Sequence, residues 1–296
     1  MKDYLKLLRV KHYIKNVLIF AALLFSGQIL VAGKLRDCSI GFVAFCLVSS
    51  AIYIFNDIRD RKSDALHPKK KMRPIASGKI SVKAAIIMAV LCLVLACICF
   101  SFVFNVMALF FLGIYVIINL LYSWGLKNIP LVDVTILVLG FLIRVIYGAI
   151  LSGIEVSGWL YLTVITFSFF LAFGKRRNEF KLSNSSDTRA VLKGYTPGFL
   201  DKSMYLCLAM ANTFYALWTV GDSTTEHYNG NKIIFTVPIV LLISLKYCLN
   251  IEKEESDGDP TEVLFSDKAL LVLCFVYAVI MGSLLYGGKI MAALGL

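Results

Sequence analysis

The sequence predicts an all-α integral membrane protein with about nine transmembrane helices. Hydrophobic residues make up 59% of the 296 positions, which exceeds the usual share in a soluble domain of this length. Uncharged apolar runs long enough to cross a hydrocarbon core recur along the whole chain. The charged residues are concentrated between these runs, which leaves almost no room for a separate soluble domain. We therefore predict a single polytopic membrane domain over residues 1–296.

The apolar runs define the predicted spans in order. They lie at roughly 17–33, 39–56, 84–104, 106–124, 131–150, 158–174, 203–221, 233–250 and 269–288. The run at 17–33 follows a basic N-terminus, as the apolar part of a signal peptide does. We interpret it as a span, because no convincing small-residue cleavage site follows it and further spans do.

The basic residues predict the orientation of these spans. On one side of the membrane, lysines and arginines crowd the segments 2–15, 59–83, 127, 175–202 and 246–268. The other side carries only Lys34, Arg36, Lys232 and Lys289. By the positive-inside rule, this asymmetry predicts a cytoplasmic N-terminus, and it explains most of the net charge of +11 together with attraction to anionic lipid. No segment resembles a nucleic-acid-binding module, so no nucleic-acid partner is predicted.

The nucleophilic and metal-binding side chains form no familiar pattern. The 8 cysteines lie almost entirely within apolar spans, lack the spacing of metal ligands and are interpreted as small hydrophobic residues. The 3 histidines are scattered, and no glycine-rich phosphate loop or Ser/His/Asp grouping stands out. Covalent catalysis therefore has little support in the sequence.

An acidic stretch, FNDIRDRKSD at 55–64, follows the second predicted span directly. If the helix continues through it, Asp57, Asp60 and Asp64 share a sector of roughly 60°, and Asn56 lies one step further around. Carboxylate oxygens at this spacing suit Mg²⁺, which prefers one or two carboxylates with waters and substrate phosphates. The alternative is a solvated acidic helix end that neighbouring basic side chains neutralise.

A basic loop, HPKKKMRPIASGKIS at 67–81, follows the acidic stretch. Its clustered positive charges are Lys69, Lys70, Lys71 and Arg73. A metal ion bridged to a diphosphate needs acids for the metal and bases for the remaining phosphate charge. The two segments together indicate such a site at the membrane boundary.

The stretch NDIRDRKSD followed by RPIASGKIS closely resembles the first aspartate-rich motif of the UbiA-type membrane prenyltransferases. That motif reads N-D-x-x-D-x-x-x-D, with a downstream R-P-[IL]-x-x-G. The resemblance implies a UbiA-type helical bundle in which Asp57, Asp60 and Asp64 hold Mg²⁺ against a diphosphate, with Asp57 and Asp60 as catalytic residues. It also implies that Asn56 and Arg73 contact the substrate.

The segment FGKRRNEFKL at 173–182 departs from the ordinary members of that family, which carry a second aspartate-rich motif after the sixth span. Asp187 is the only nearby aspartate. The pattern G-K-R-x-x-E instead resembles the decaprenyl-phosphate phosphoribosyltransferase branch of the family. Further stretches resemble this branch in the expected order: RVKHYIKNVLIFA at 9–21, YSWGLKNIPLVDV at 122–134, GFLIRVIYGA at 140–149 and GDPTEVLFSD at 258–267.

This second resemblance implies a particular pair of substrates. The donor is 5-phosphoribosyl 1-diphosphate and the acceptor is a polyprenyl phosphate, so the site must bind three phosphate-bearing groups. Lys175, Arg176 and Glu179 are then substrate-binding candidates, although positive-inside topology or a surface ion pair explains the same charges. The resemblance further implies a bacterial-type inner membrane, an active site on the cytoplasmic side and a role in cell-envelope biosynthesis.

Four more residues are substrate-binding candidates: Lys15, Tyr122, Lys127 and Arg144. Lys15 lies at the mouth of the first span, and Tyr122 and Lys127 occupy positions where the family motif contacts the diphosphate. Interfacial anchoring and topology are their alternatives. Arg144 lies about eleven residues, or some 16 Å, deeper in its span than Asp133, and an arginine within the membrane favours a functional role or a structural pair between helices.

Two other functions remain open at the level of the sequence. An ordinary family member would use a prenyl diphosphate donor and a small aromatic acceptor, and the missing second aspartate motif argues against it. A polyprenyl-phosphate transporter would not require a Mg²⁺–diphosphate site, so the clustered acids and bases argue against that function.

Overall fold

A computed structural model describes residues 2–66, 70–182, 190–221, 224–225, 228, 231–252, 263–264 and 266–293. All regular secondary structure in these ranges is helical. The α-helices are α1 (Lys2–Leu7), α2 (Ala21–Phe25), α3 (Ala32–Arg59), α4 (Arg61–Leu66), α5 (Val82–Ser101), α6 (Val106–Trp124), α7 (Val132–Ser152), α8 (Gly158–Leu182), α9 (Pro197–Val220), α10 (Val237–Ile251) and α11 (Lys268–Ala293). The 3₁₀ helices are Val10–Phe20, Lys70–Met72, Leu126–Asn128, Ala190–Gly194 and Asn231–Thr236.

Within the described ranges, 7 helices are long and apolar enough to cross a membrane by length and composition. These are α3, α5, α6, α7, the segment Gly158–Lys181 of α8, the segment Lys232–Ile251 that includes α10, and Lys268–Gly288 of α11. They coincide with seven of the nine predicted spans. The expectation of an all-α, multi-pass membrane protein is confirmed, and the count of nine is approximate.

The two other predicted spans take different forms. The segment predicted at 17–33 is built from the 3₁₀ helix Val10–Phe20 and the short helix α2, and Gly27 with φ 66° follows the end of α2. Glycine adopts this left-handed conformation without steric cost, so the chain turns here before α3 begins. The span predicted at 203–221 falls on α9, which ends at Val220 and has 24 residues but contains polar side chains such as Asn212 and Thr213.

The chain divides into two compact units, and the first comprises residues 1–125 and 143–155. Its central helix is α3, which packs mainly against α5 and also contacts α6 and Val10–Phe20. Phe45, Tyr115 and Tyr147 lie in its core. Gly148 allows a close approach to the first segment, because a Cβ atom at this position would lie 1.7 Å from the carbonyl oxygen of Ile19.

The second unit comprises residues 126–142 and 156–296, so α7 contributes its first half to this unit and its second half to the first unit. The helices α8 and α9 pack along each other, and Phe170, Leu200 and Met204 are buried in the core. Thr196 caps the start of α9 by accepting a hydrogen bond from the backbone N–H of Phe199. That residues 1–296 form one domain stays a prediction.

Candidate active site

The aspartate cluster, defined here as Asp57, Asp64, Arg9 and Arg73, lies in the first unit at the junction of α3 and α4. Asp57 and Asp64 are only 3% and 4% exposed. Nη1 of Arg73 donates to Asp57 Oδ1 at 3.1 Å and to Asp64 Oδ2 at 2.6 Å, and Nη2 of Arg9 donates to Asp57 Oδ1 at 2.5 Å. These pairs compensate the cost of burying two carboxylates.

The helix that carries the predicted row of aspartates, Asp57, Asp60 and Asp64, is interrupted briefly. The helix α3 ends at Arg59, and the backbone N–H of Asp60 still bonds to the Asn56 carbonyl at 2.8 Å. The backbone N–H of Asp64 then bonds to the Asp60 carbonyl at 2.8 Å, so the helical hydrogen-bonding pattern of α3 resumes in α4. Asp57 and Asp64 therefore share one arginine, whereas the Asp60 side chain is partly exposed.

The fit of this cluster to a divalent metal ion rests on its donor atoms. Among the residues that the structure describes, no group of three or more His, Cys, Asp or Glu side chains is close enough to hold a metal. Asp57 and Asp64, however, share the guanidinium of Arg73, which shows that one positive charge is accommodated between two oxygen donors. Mg²⁺ typically uses one or two protein carboxylates with waters and phosphates, so this pair fits such an ion.

Arg9 is a member of this cluster that the sequence analysis did not place among the site residues. Its backbone has φ 53° at the start of Val10–Phe20, and its guanidinium lies 5.0 Å from the ring centroid of Tyr53. Its pairing with Asp57 joins positions 48 residues apart. The one feature of the sequence that indicated Arg9 was its place in the basic N-terminal segment, which is predicted to lie on the same side of the membrane as the aspartates.

The C-terminal end of α6 lies beside the end of α3. The Ser123 hydroxyl donates a hydrogen bond to the side-chain oxygen of Asn56, and Arg59 Nη2 donates to the Trp124 carbonyl at 3.4 Å. Tyr122 is the neighbour of these residues and is partly buried. The structure thus brings Asn56 close to the segment that carries Tyr122.

Arg144 lies deep in the first unit and is only 5% exposed. Its Nε atom donates to Asn16 Oδ1 at 2.8 Å, and its Nη2 atom donates to the Tyr115 hydroxyl at 3.0 Å. The guanidinium carbon lies 5.2 Å from the ring centroid of Phe45 and 4.9 Å from that of Tyr115. These contacts tie α7 to α6, α3 and the segment that carries Lys15, which is the structural role the sequence left open.

The arginine cluster, defined here as Arg176, Asp133, Glu179 and Tyr195, lies in the second unit. Arg176 is 1% exposed, and its Nε and Nη1 atoms donate to Asp133 Oδ2 and Glu179 Oε2, both at 2.6 Å. The Tyr195 hydroxyl donates to Asp133 Oδ1 at 2.7 Å and accepts a hydrogen bond from the backbone N–H of Leu131 at 2.7 Å. Burial raises the pKa of the Tyr195 phenol to about 12, and its bond to Asp133 adds to the rise.

The three bases of G-K-R-R thus have different surroundings. Arg177 donates to Asp201 and, at 2.5 Å, to Glu252 Oε1, and this bond lowers the pKa of Glu252. Arg176 and Arg177 are both buried, whereas Lys175 is partly exposed. The sequence allowed a surface ion pair between Glu179 and Lys175, four residues earlier; the structure pairs Glu179 with Arg176, three residues earlier.

The acidic partners Asp133, Asp201 and Glu252, and the phenol Tyr195, were not predicted as members of this site. All four lie far from the G-K-R-R segment in sequence, so no local pattern indicated them. Lys127 lies in the same unit, in the 3₁₀ helix Leu126–Asn128, and is partly buried. Lys69, Asp187 and residues 258–262 lie outside the described residues.

The family follows from comparison with known proteins. The sequence matches the UbiA prenyltransferase family over residues 16–244. This chain therefore belongs to the UbiA prenyltransferase family, as its two motifs predicted.

Particular relatives narrow the comparison. The chain is 34% identical to the decaprenyl-phosphate phosphoribosyltransferase of Corynebacterium glutamicum, over 94% of this chain and 85% of the relative. It is 31% identical to the decaprenyl-phosphate phosphoribosyltransferase of Mycolicibacterium smegmatis, over 95% of this chain and 92% of the relative. Among solved structures, a UbiA homolog from Archaeoglobus fulgidus bound to GPP and Mg²⁺ superposes with a TM-score of 0.72 at 20% identity, covering 96% of this chain and 99% of the other, which shows a shared fold.

Proposed function

We propose that this protein transfers the 5-phosphoribosyl group of 5-phosphoribosyl 1-diphosphate to a polyprenyl phosphate and releases diphosphate. The observation that carries this proposal is the arginine cluster. Where ordinary family members have a second aspartate-rich motif, this chain has a basic segment with an internally braced Arg176 and a partly exposed Lys175 and Glu179. The similarity to two phosphoribosyltransferases over nearly the full chain supports the same choice.

In this proposal Asp57, Asp60 and Asp64 hold Mg²⁺, with Asp57 and Asp60 as the catalytic pair. When bound, the ion supplies positive charge that stabilises the departing diphosphate. Arg73 already lies between two of these carboxylates and is suited to bind phosphate oxygens. Asn56, Tyr122, Lys127 and Lys15 are the further proposed contacts to the donor.

The chemistry is a substitution at C1 of the ribose. An oxygen of the acceptor phosphate forms a bond to C1, and the bond between C1 and the diphosphate oxygen breaks, with its electron pair leaving on diphosphate. The acceptor phosphate is already ionised at pH 7, so it needs positioning rather than a general base. Direct displacement from the opposite face inverts the anomeric centre, and fixed positive charges around the site stabilise the transition state.

The basic segment at the end of α8 is the proposed binding region for the 5-phosphate of the donor. Lys175 is the base that is partly exposed there, and Arg176 contributes by holding Glu179 and the start of α7 in place. Arg144 is proposed to act in the same indirect way, through Asn16 and the neighbouring Lys15. The acceptor's polyprenyl tail lies in the hydrocarbon region beside the apolar helices.

The proposed location is a bacterial-type inner membrane, with the N-terminus and the active site on the cytoplasmic side. Support comes from the one-sided distribution of lysines and arginines and from the position of the aspartate cluster at the end of a spanning helix. We propose that the product, a polyprenyl-linked sugar phosphate, serves cell-envelope biosynthesis at this face.

Release of diphosphate by the purified protein tests this function against its two alternatives. We expect release with 5-phosphoribosyl 1-diphosphate and polyprenyl phosphate together, and none when either is omitted. Release that instead requires a prenyl diphosphate and an aromatic acceptor would identify an ordinary prenyltransferase. No release in any combination, with transfer of polyprenyl phosphate across vesicles, would identify a transporter.

A further inference from the structure

Two carboxylates pair with the single guanidinium of Arg176 in the arginine cluster. Asp133 is 0% exposed and holds Arg176 in the interior of the second unit. The side chain of Glu179 is 26% exposed, although it pairs with the same guanidinium. Glu179 is therefore the carboxylate of this cluster that a ligand can reach.

A chain of hydrogen bonds fixes the position of Glu179. The backbone N–H of Leu131 bonds to the Tyr195 hydroxyl, which bonds to Asp133, which bonds to Arg176, which bonds to Glu179. Each bond in this relay measures 2.6 or 2.7 Å. The relay therefore fixes a carboxylate at the end of a chain of strong hydrogen bonds.

The backbone at the start of the relay is also constrained. Leu131 has φ 67°, a left-handed conformation that residues other than glycine seldom adopt. Gly194, just before Tyr195, approaches Pro130 closely. A Cβ atom at position 194 would lie only 2.3 Å from the Pro130 ring. The segment Ala190–Gly194 is thus held closely against the start of α7 in the geometry that brings the Tyr195 hydroxyl to Leu131.

We propose that Glu179 is the specificity-determining residue that accepts hydrogen bonds from the ribose hydroxyl groups of the donor, and that Tyr195 is a positioning residue for it. An ionised carboxylate only accepts hydrogen bonds and repels phosphate, so hydroxyl groups are the part of the donor that it suits. Pairing with Arg176 reduces the repulsion toward the neighbouring phosphates. A prenyl diphosphate has no such hydroxyl groups, so this contact selects a sugar donor.

The inference rests on the proposed function and deepens it, and the test compares two donors. The second donor is 5-phospho-2-deoxyribosyl 1-diphosphate, which lacks one ribose hydroxyl. A site built to bond a hydroxyl group discriminates against an analogue that lacks it. We expect the parent protein to prefer the ribosyl donor by about ten- to a hundredfold in kcat/KM and in binding affinity.

Two variants locate the source of that preference. In Glu179→Ala, the affinities for the two donors should become nearly equal. In Tyr195→Phe, which removes only a hydroxyl group, the preference should fall in part, with a raised KM for the donor and an unchanged KM for polyprenyl phosphate. Tyr215→Phe is the matched control, because it removes another buried tyrosine hydroxyl of the same unit, bonded to Thr236 at 2.6 Å. It should retain the full preference.

The outcomes separate this inference from the function on which it rests. A parent protein that forms no phosphoribosyl lipid contradicts the proposed function. A parent protein that forms it but accepts both donors equally overturns the inference without any variant. A preference that survives unchanged in Glu179→Ala also overturns it. If Glu179→Ala does not fold, Glu179→Leu keeps a side chain of similar bulk without any hydrogen-bond acceptor, and an unchanged preference there has the same meaning.

Discussion

Asp57 and Asp64 are buried at the junction of α3 and α4, where an unpaired carboxylate is expensive to hold, and Arg9 and Arg73 compensate that cost. Buried ion pairs are nevertheless weak evidence for a stabilising role, because apolar replacements are often neutral or stabilising. The presence of both acids is therefore better explained by chemistry than by folding. In the proposed function that chemistry is binding of a metal ion and a diphosphate.

Asp57→Asn and Asp60→Asn should each lower turnover by about a hundredfold or more, because each removes a charge that the proposed metal site needs. The variants should still purify as folded protein in detergent. Steady-state turnover at ordinary and at raised Mg²⁺ concentration measures the effect. Asp64→Asn should also be costly, since it breaks the pair with Arg73.

The matched control for these variants is Asp37→Asn. Asp37 forms a surface pair with Arg36 on α3, remote from the aspartate cluster in sequence, so turnover should stay close to that of the parent protein. Near-normal turnover of Asp57→Asn or Asp60→Asn at ordinary Mg²⁺ would contradict the assignment of the metal ligands.

Lys175→Ala should weaken binding of 5-phosphoribosyl 1-diphosphate by about ten- to a hundredfold, because one charge-assisted phosphate contact contributes about 1.5–3 kcal/mol. A donor analogue without the 5-phosphate should bind poorly to the parent protein and lose little more in the variant. Lys181→Ala is the control: it removes a positive charge from the same helix end, where Lys181 pairs with Glu252. Equal weakening of both donors in Lys175→Ala would show that this residue does not bind the 5-phosphate.

At the scale of elements, the end of α3 explains how a helical stripe becomes a site. The break after Arg59 is short enough that Asp57 and Asp64 still reach the same arginine. The spacing of the aspartates was visible in the sequence because it depends only on helical periodicity. The pairing of Arg9 with Asp57 was not, because tertiary packing brings those residues together across 48 positions.

The predicted spans show the same difference between features that one segment determines and features that tertiary packing determines. Seven of the nine predicted spans are helices of the required length and composition, because hydropathy is a property of each segment alone. The 3₁₀ geometry of Val10–Phe20 was not predictable in this way, since it accompanies a close fit of Ile19 against Gly148 of α7. The Asp133–Arg176 pair was missed for the same reason, because packing of α7 against α8 creates it.

Gly148→Ala should destabilise the protein by about 1–3 kcal/mol, because the added methyl group meets the backbone of Ile19 and forces the first segment away from α7. Since that segment carries Asn16 and Lys15, turnover should fall as well. Thermal unfolding in detergent measures the first effect. Gly113→Ala in α6 is the control, because nothing lies within 4 Å of its Cβ position. An unfolding temperature for Gly148→Ala equal to that of the control would contradict the close packing.

At the scale of the whole molecule, the charge distribution predicts which ends of the helices face the cytoplasm. A cysteine introduced at Lys11 should react with a membrane-impermeant thiol reagent only from the cytoplasmic side, and one at Lys34 only from the opposite side. The two positions flank the same predicted span and serve as controls for each other, and the parent protein gives the background from its own cysteines. Labelling of Lys11→Cys from the outside of intact cells would reverse the predicted orientation.

The central claim is that a phosphoribosyl group moves onto a lipid phosphate, and the mass of the lipid product tests it most directly. Purified protein is incubated with Mg²⁺, polyprenyl phosphate and a donor whose ribose is fully labelled with ¹³C, and the lipid is analysed by mass spectrometry. We predict a product heavier than the acceptor by one labelled phosphoribosyl unit, and its loss in Asp57→Asn. A lipid that stays at the mass of the acceptor, in preparations that instead join a prenyl diphosphate to an aromatic acceptor, would contradict the claim.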